Sequence, residues 1–300
     1  MQINDNNLEV LEVGGCPSLT CLISCRGGGL PPTLKNLQIW GCKKLEALLV
    51  EKGMEINCPS LEFVWIWGCD RLKYLPDALP NNNNLRNLGL LAVGRCENFE
   101  SIPEGWFHFA TNLTILNITG CKKLKALPVL SHGFQTINYL TSLQTLSMNI
   151  SEWNNNFKKI GLHSLSSLIK LLIEGPISVA EDEEEDDVTG SSFPIDGKLL
   201  PTSLISLSIM KIRNLEKLSS KLFQNLASLE EFYIRGCPRL KSLPVQRLPP
   251  LLKRLSISGS RKLTGKCEMG KGKYWPHISK IPKVKVDGDD DDDDDDDDDE

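Results

Sequence analysis

Residues 61–76 read Leu-Glu-Phe-Val-Trp-Ile-Trp-Gly-Cys-Asp-Arg-Leu-Lys-Tyr-Leu-Pro. The same frame, L-x-x-L-x-I-x-x-C-x-x-L-x-x-L-P, begins at Leu8, Leu34, Leu61, Leu88, Leu113, Leu143, Leu168, Leu204, Leu229 and Leu252. A unit of this length cannot bury its apolar side alone. It must stack on copies of itself, so the chain reads as a solenoid with a surface made by stacking.

Successive starts lie from 23 residues (Leu229 to Leu252) to 36 residues (Leu168 to Leu204) apart. Most fall within the leucine-rich-repeat range of ~20–29 residues. Well-kept copies fill every slot: Leu34, Leu37, Ile39, Cys42, Leu45 and Leu48, or Leu229, Phe232, Ile234, Cys237, Leu240 and Leu243-Pro244. In the sixth and seventh copies Ser151 and Pro176 stand where the cysteine belongs. The x-L-x-I-x segment has period two, the pattern of a half-buried strand. Proline in lead-ins such as Leu30-Pro31-Pro32-Thr33 and Leu248-Pro249-Pro250-Leu251 suits the turn before a strand. Gly-Cys and Pro recur at a phase that one continuous amphipathic helix could not hold. The expected fold is an α/β repeat solenoid. It is a leucine-rich-repeat horseshoe with a concave parallel β-sheet and a mostly irregular or short helical convex side.

Residues 1–265 are read as the solenoid, with an acidic insertion at 180–198. Residues 266–288 form a C-terminal cap segment, in which a Val-x-Val strand can close the last repeat. Residues 289–300 form a disordered poly-aspartate tail, because eleven consecutive aspartates repel one another at neutral pH. Only seven residues, five of them polar, precede the first frame leucine, a poor cap for a solenoid end. The chain is therefore expected to be the C-terminal part of a longer protein or a truncated product.

The sequence holds 34 basic and 39 acidic side chains, a net charge of −5. Thirteen acids lie in Asp287–Glu300; the remaining 26 against 34 bases leave the rest at +8, and Glu181–Asp187 holds seven more acids. The bases, as in Lys43-Lys44, Lys122-Lys123 and Arg239, scatter through turns expected on the convex side, a solvated face rather than a nucleic-acid stripe. No apolar run approaches ~18 residues, so no membrane span is expected. Six of ten cysteines (Cys16, Cys42, Cys69, Cys96, Cys121, Cys237) occupy one frame slot. A column one repeat apart is a set of packed free thiols, which suits a reducing compartment and a cytoplasmic location. Cys16, Cys21 and Cys25 lack the spacing of a zinc set, so no metal site is expected. The sequons at Asn112, Asn117 and Asn149 are read as chance.

Four histidines (His108, His132, His163, His277) stand in no catalytic motif, and neither H-E-x-x-H nor G-x-S-x-G occurs. No enzyme and no cofactor are expected. Candidate function lies on the concave face, where side chains between the apolar positions point. These columns place Trp40, Phe63, Trp65 and Trp67 together, with Trp40 and Trp67 in one column ~5 Å apart at the backbone. Tyr233 and Arg235 form a second patch. Trp, Tyr and Arg dominate binding hot spots. The same tryptophans also suit packing on one another to stabilise the sheet, and both roles stay open at this level.

The frame with its Gly-Cys turn (Trp40-Gly41-Cys42, Trp67-Gly68-Cys69, Arg235-Gly236-Cys237) resembles plant intracellular nucleotide-binding leucine-rich-repeat disease-resistance proteins. The segment Gly265-Lys266-Cys267 through Tyr274-Trp275-Pro276-His277-Ile278, Ile281-Pro282 and Val286-Asp287-Gly288 is similar to the end of their coiled-coil class. The resemblance implies a domain that senses a pathogen effector or a guarded host protein. It also implies restraint of a nucleotide switch bound to ADP or ATP. The chain departs from the pattern in having no G-x-x-x-x-G-K-[ST] loop, since Gly27-Gly28-Gly29 lacks the Lys-[ST], so nucleotide binding does not carry over. The alternatives are a substrate-recognition subunit of a ubiquitin ligase and a free protein-binding scaffold.

Overall fold

The computed structural model describes residues 7–23, 29–49, 55–80, 83–124, 140–149, 161–175, 192–193 and 197–286. The expected acidic insertion, apart from 192–193 and 197–198, the aspartate tail, Ser151 and Pro176 lie outside them.

Among the described residues, eleven parallel strands form one sheet in sequence order. They are β1 (Val10–Gly14), β2 (Asn36–Trp40), β3 (Phe63–Trp67), β4 (Leu90–Gly94), β5 (Ile115–Thr119) and β6 (Thr145–Asn149). Then follow β7 (Lys170–Glu174), β8 (Ser206–Met210), β9 (Glu231–Arg235), β10 (Arg254–Ser258) and β11 (Lys283–Val286). Each strand pairs with the equivalent strand of the next repeat in frame register, as in Asn36↔Phe63 and Trp40↔Trp67. Register holds because a one-residue slip would turn every core leucine outward. The core is one continuous column of frame residues: Leu34, Leu37, Ile39, Cys42, Leu45 and Leu48 are buried, as are Leu61, Val64, Ile66, Cys69, Leu72 and Leu75. The parallel-sheet horseshoe expected from the frame is therefore the fold.

Two turns recur. The chain leaves eight of the described strands through a residue in the left-handed region, as at Gly15, Gly41, Gly68, Gly120, Gly236 and Gly259. Its N–H continues the ladder: Gly41 donates to Trp67 O (2.9 Å) and Gly68 to Gly94 O (2.9 Å). Glycine takes this conformation without a Cβ penalty. Arg95 (φ 50°) and Lys211 (φ 53°) hold the same place without that freedom. The chain then turns again, with Leu45 N–H donating to Cys42 O (2.9 Å) and Leu72 N–H to Cys69 O (3.1 Å).

The convex side carries short elements: α1 (Glu104–Phe109), single 3-10 turns at Leu162–Ser164, Gly197–Leu199 and Val245–Arg247, and small parallel pairs such as Cys21–Ile23 with Ala47–Leu49. Trp106 of α1 is buried and donates its Nε1–H to Pro76 O (2.8 Å). At the C-terminal end come α2 (Arg261–Cys267), α3 (Trp275–Ile278) and β11, which pairs with β10. Leu263, Cys267 and Ile278 are buried there.

Candidate functional site: an aromatic and basic rim

The alternation within each strand decides which side chains are free to meet a partner. Along β2, Leu37 and Ile39 are buried while Asn36, Gln38 and Trp40 face outward, and β3 repeats this with Val64 and Ile66 buried. The structure brings Trp40, Phe63, Trp65 and Trp67 onto one face of two adjacent strands. The Trp65 and Trp67 rings stack at 5.9 Å with planes 12° apart, and Trp40 lies tilted at 6.2 Å from Trp65. Trp40 is 39% exposed, while Phe63, Trp65 and Trp67 are half-buried.

Two glycines make this packing possible. A Cβ built on Gly14 would overlap the Trp40 indole, and one on Gly94 would overlap that of Trp67. The Trp40 indole thus lies over the bare backbone of the preceding strand, and that of Trp67 over the bare backbone of the following one. On its other side Trp67 faces Arg95, whose guanidinium carbon is 5.7 Å from a Trp67 ring centroid, within cation–π range. Trp67 is held between Trp65, Gly94 and Arg95. Gly94→Val is expected to lift Trp67 off the sheet, and the measurable result is a red-shifted tryptophan emission with loss of ~1–3 kcal/mol in urea unfolding. An unshifted spectrum would contradict the packing argument.

Tyr233 and Arg235 sit in β9, six repeats beyond β3, and are not part of the tryptophan cluster. Tyr233 is half-buried and its hydroxyl accepts from Arg254 Nη1 (3.1 Å), while Arg254 also faces Glu231 at 3.6 Å. Arg235 is exposed.

Sequence reasoning missed the basic rim. Lys43 and Lys122 were expected on solvated convex turns, but they line a cavity of about 950 Å³ with Trp40, Trp65, Trp67 and Arg95 from the first arm. Lys211, Arg213, Gly236 and Gly259 close it from the second. The reason is local: the residues after the Gly-Cys turn leave the strand end at the rim before the chain reaches the convex side. Non-glycine residues at the left-handed position, Arg95 and Lys211, were the available signal.

The cysteine column is an internal ladder. Cys69 N–H points to Cys96 Sγ (3.4 Å), and Cys96 Sγ–H donates to Gly94 O (3.3 Å). Burial pushes the thiols of Cys121 and Cys237 up to about 11, and that of Cys58 to about 12. Such thiols stay protonated and unreactive near neutral pH. In the last repeat Ser260 takes the slot and accepts from Cys237 N–H (3.3 Å). Among the described residues no cluster of metal-ligating side chains occurs, and no helix is long and apolar enough to cross a membrane. Asn117 and Asn149 act within the sheet: Asn117 Oδ1 accepts from Thr119 Oγ1–H (3.1 Å), and Asn149 Oδ1 accepts from Gly120 N–H (3.0 Å).

One strand per repeat, the left-handed exit turn and the leucine core define a leucine-rich-repeat solenoid with an aromatic concave face. A putative disease resistance protein of Arabidopsis thaliana is 30% identical over 259 residues, covering 86% of this chain and 16% of that relative. The chain thus spans a small part of the length of the relative it matches. No family model matches. Among solved structures, the functional domain of InlJ from Listeria monocytogenes, which includes a cysteine ladder, is 16% identical with a TM-score of 0.32, covering 94% of this chain and 63% of that one. A leucine-rich-repeat protein of Leptospira interrogans is 16% identical with a TM-score of 0.35, covering 94% and 90%.

Proposed function

We propose that this chain is a protein-recognition solenoid in plant defence, engaging a pathogen effector or a guarded host protein through Trp40, Phe63, Trp65 and Trp67. The observation that carries the reading is the indole cluster on the outward face of a regular sheet. Large, rigid aromatic groups lose little conformational entropy on binding and bury much area. Tyr233 and Arg235 supply a second contact. The 30% identity to a putative plant disease resistance protein supports the defence context. In a longer receptor the same solenoid restrains a nucleotide-binding switch, so ADP or ATP belongs to a domain outside these residues. Protonated, unpaired thiols such as Cys121 and Cys237 suit the cytoplasm.

The test compares the chain with its Trp65→Ala/Trp67→Ala form by proximity labelling in leaves challenged with a pathogen. Truncating two hot-spot indoles costs ~2–4 kcal/mol, so recovery of the specific partner falls ~30-fold or more while the melting midpoint moves little. Equal recovery by a folded double variant would overturn the assignment of this face.

A further inference from the structure

We propose that the partner places an acidic segment in the rim cavity, its carboxylates on the cavity's cations and its apolar side chains against the tryptophans. Such a segment rests on the protein-recognition reading above and specifies the chemistry of the partner. Strand polarity puts both halves of the site on one edge. All strands of the sheet are parallel, so all their C-terminal ends lie on one rim. Trp40 and Trp67 are the last residues of β2 and β3, and Arg95 and Lys211 directly follow β4 and β8.

Charge selects an anionic occupant. Five cations, Lys43, Arg95, Lys122, Lys211 and Arg213, line the cavity against two carboxylates, Asp70 and Glu97. Glu97 pairs with Lys122 at 2.9 Å, and Glu174 pairs with Lys211 at 3.1 Å. Lys43, Arg95 and Arg213 are exposed and have no ion pair among the described residues. A concave, low-dielectric wall focuses such an excess of positive charge.

The indoles decide between a protein and a nucleic acid. Single-stranded nucleic acid stacks successive bases on open ring faces. Here Trp65 and Trp67 stack on each other, Gly94 and Arg95 take up the rest of Trp67, and Gly14 lies beneath Trp40. Such a cluster offers chiefly ring edges, which suit apolar side chains. Length fits as well. The strands that Lys43 and Arg213 follow, β2 and β8, stand six apart, or ~29 Å along the sheet. About ten extended residues span that distance.

The experiment measures fluorescence anisotropy of labelled twelve-residue peptides titrated with the full chain at low ionic strength. The probe is four repeats of Glu-Glu-Leu, and the controls are four repeats of Ser-Ser-Leu and of Glu-Glu-Ser. The probe is expected to bind at least about tenfold tighter than Ser-Ser-Leu and about threefold tighter than Glu-Glu-Ser, weakening as salt is raised. Lys43→Glu/Arg213→Glu should weaken it about tenfold or more. Lys273→Glu/Lys280→Glu makes the same charge change at exposed lysines that do not line the cavity, and should leave affinity within about twofold. All four substitutions are on the surface, and circular dichroism verifies that both variants fold. The acidic-segment assignment is overturned if the probe does not bind or either control matches it. It is equally overturned if a twelve-nucleotide oligouridylate matches it, or if the two charge reversals act alike. Each of these leaves the tryptophan face standing, because recovery of a partner through Trp65 and Trp67 does not depend on its charge. Binding lost in Lys43→Glu/Arg213→Glu but unchanged in folded Trp65→Ala/Trp67→Ala overturns both readings.

Discussion

Replacing Asn84 by alanine is expected to destabilise the solenoid by ~2–6 kcal/mol. Asn84 is fully buried on the convex side between β3 and β4. Its Oδ1 accepts from Cys58 N–H (2.9 Å), and its Nδ2 donates to Ile56 O (2.8 Å) and Leu79 O (3.0 Å). One side chain thus satisfies backbone groups of two successive convex segments, beside the Leu79 N–H to Ile56 O bond (2.9 Å). Alanine leaves Cys58 N–H and Leu79 O unpaired, each costing ~1–3 kcal/mol, while Ile56 O keeps the Leu79 N–H. The measurement is urea unfolding followed by circular dichroism at pH 7. Asn84→Asp separates hydrogen bonding from volume. It keeps the acceptor for Cys58 N–H but turns an oxygen toward two carbonyls, so its deficit should grow as pH rises from 4 to 7. A wild-type midpoint in Asn84→Ala would show that the network contributes nothing net.

The contrast between this asparagine and the frame leucines explains what was legible. The frame fixes its own burial, because six apolar positions recur at constant phase and only one stacking satisfies them all. Strand direction, register and the outward columns follow, and so Trp40, Phe63, Trp65 and Trp67 could be grouped before any coordinates. Asn84 could not be read, because it is one of four consecutive asparagines and its role depends on segments 25 or more residues back. Cys58 falls outside the frame slot and its burial was equally silent. The basic rim was misplaced for a different reason. The exit turn leaves Lys43 and Lys122 at the rim, but it is curvature that brings Lys211 and Arg213 opposite them, and curvature has no period in the sequence. The flat seat of Trp67 depends on Gly94, a glycine the strand pattern alone would count as a weak point.

Raising the pH from 8 to 11 is expected to unfold the chain by titrating its buried thiols. Burial raises Cys58 to about 12, and Cys121, Cys237 and Cys267 to about 11. In the unfolded chain the same groups ionise near ~8.5. Because each folded value lies above the unfolded one, the stabilisation is fully present below about pH 8.5 and is lost as pH climbs toward 11–12. Over that window each thiol removes about 1.4 kcal/mol per pH unit, so four together remove ~5 kcal/mol per unit. Two such units remove ~10 kcal/mol, which matches most of the ~5–15 kcal/mol by which a domain is stable. The measurement is urea unfolding with reductant at pH 8, 9, 10 and 10.5, with thiolate absorbance at 240 nm read alongside. The midpoint should fall steeply above pH 9, and thiolate absorbance should rise with unfolding rather than before it. Cys58→Val removes one of these four thiols and should shallow the fall by about one part in four, whatever it costs at pH 8. A flat midpoint through pH 10.5, or thiolate appearing in folded protein, would mean that the cysteine ladder is open to water and does not seal the core.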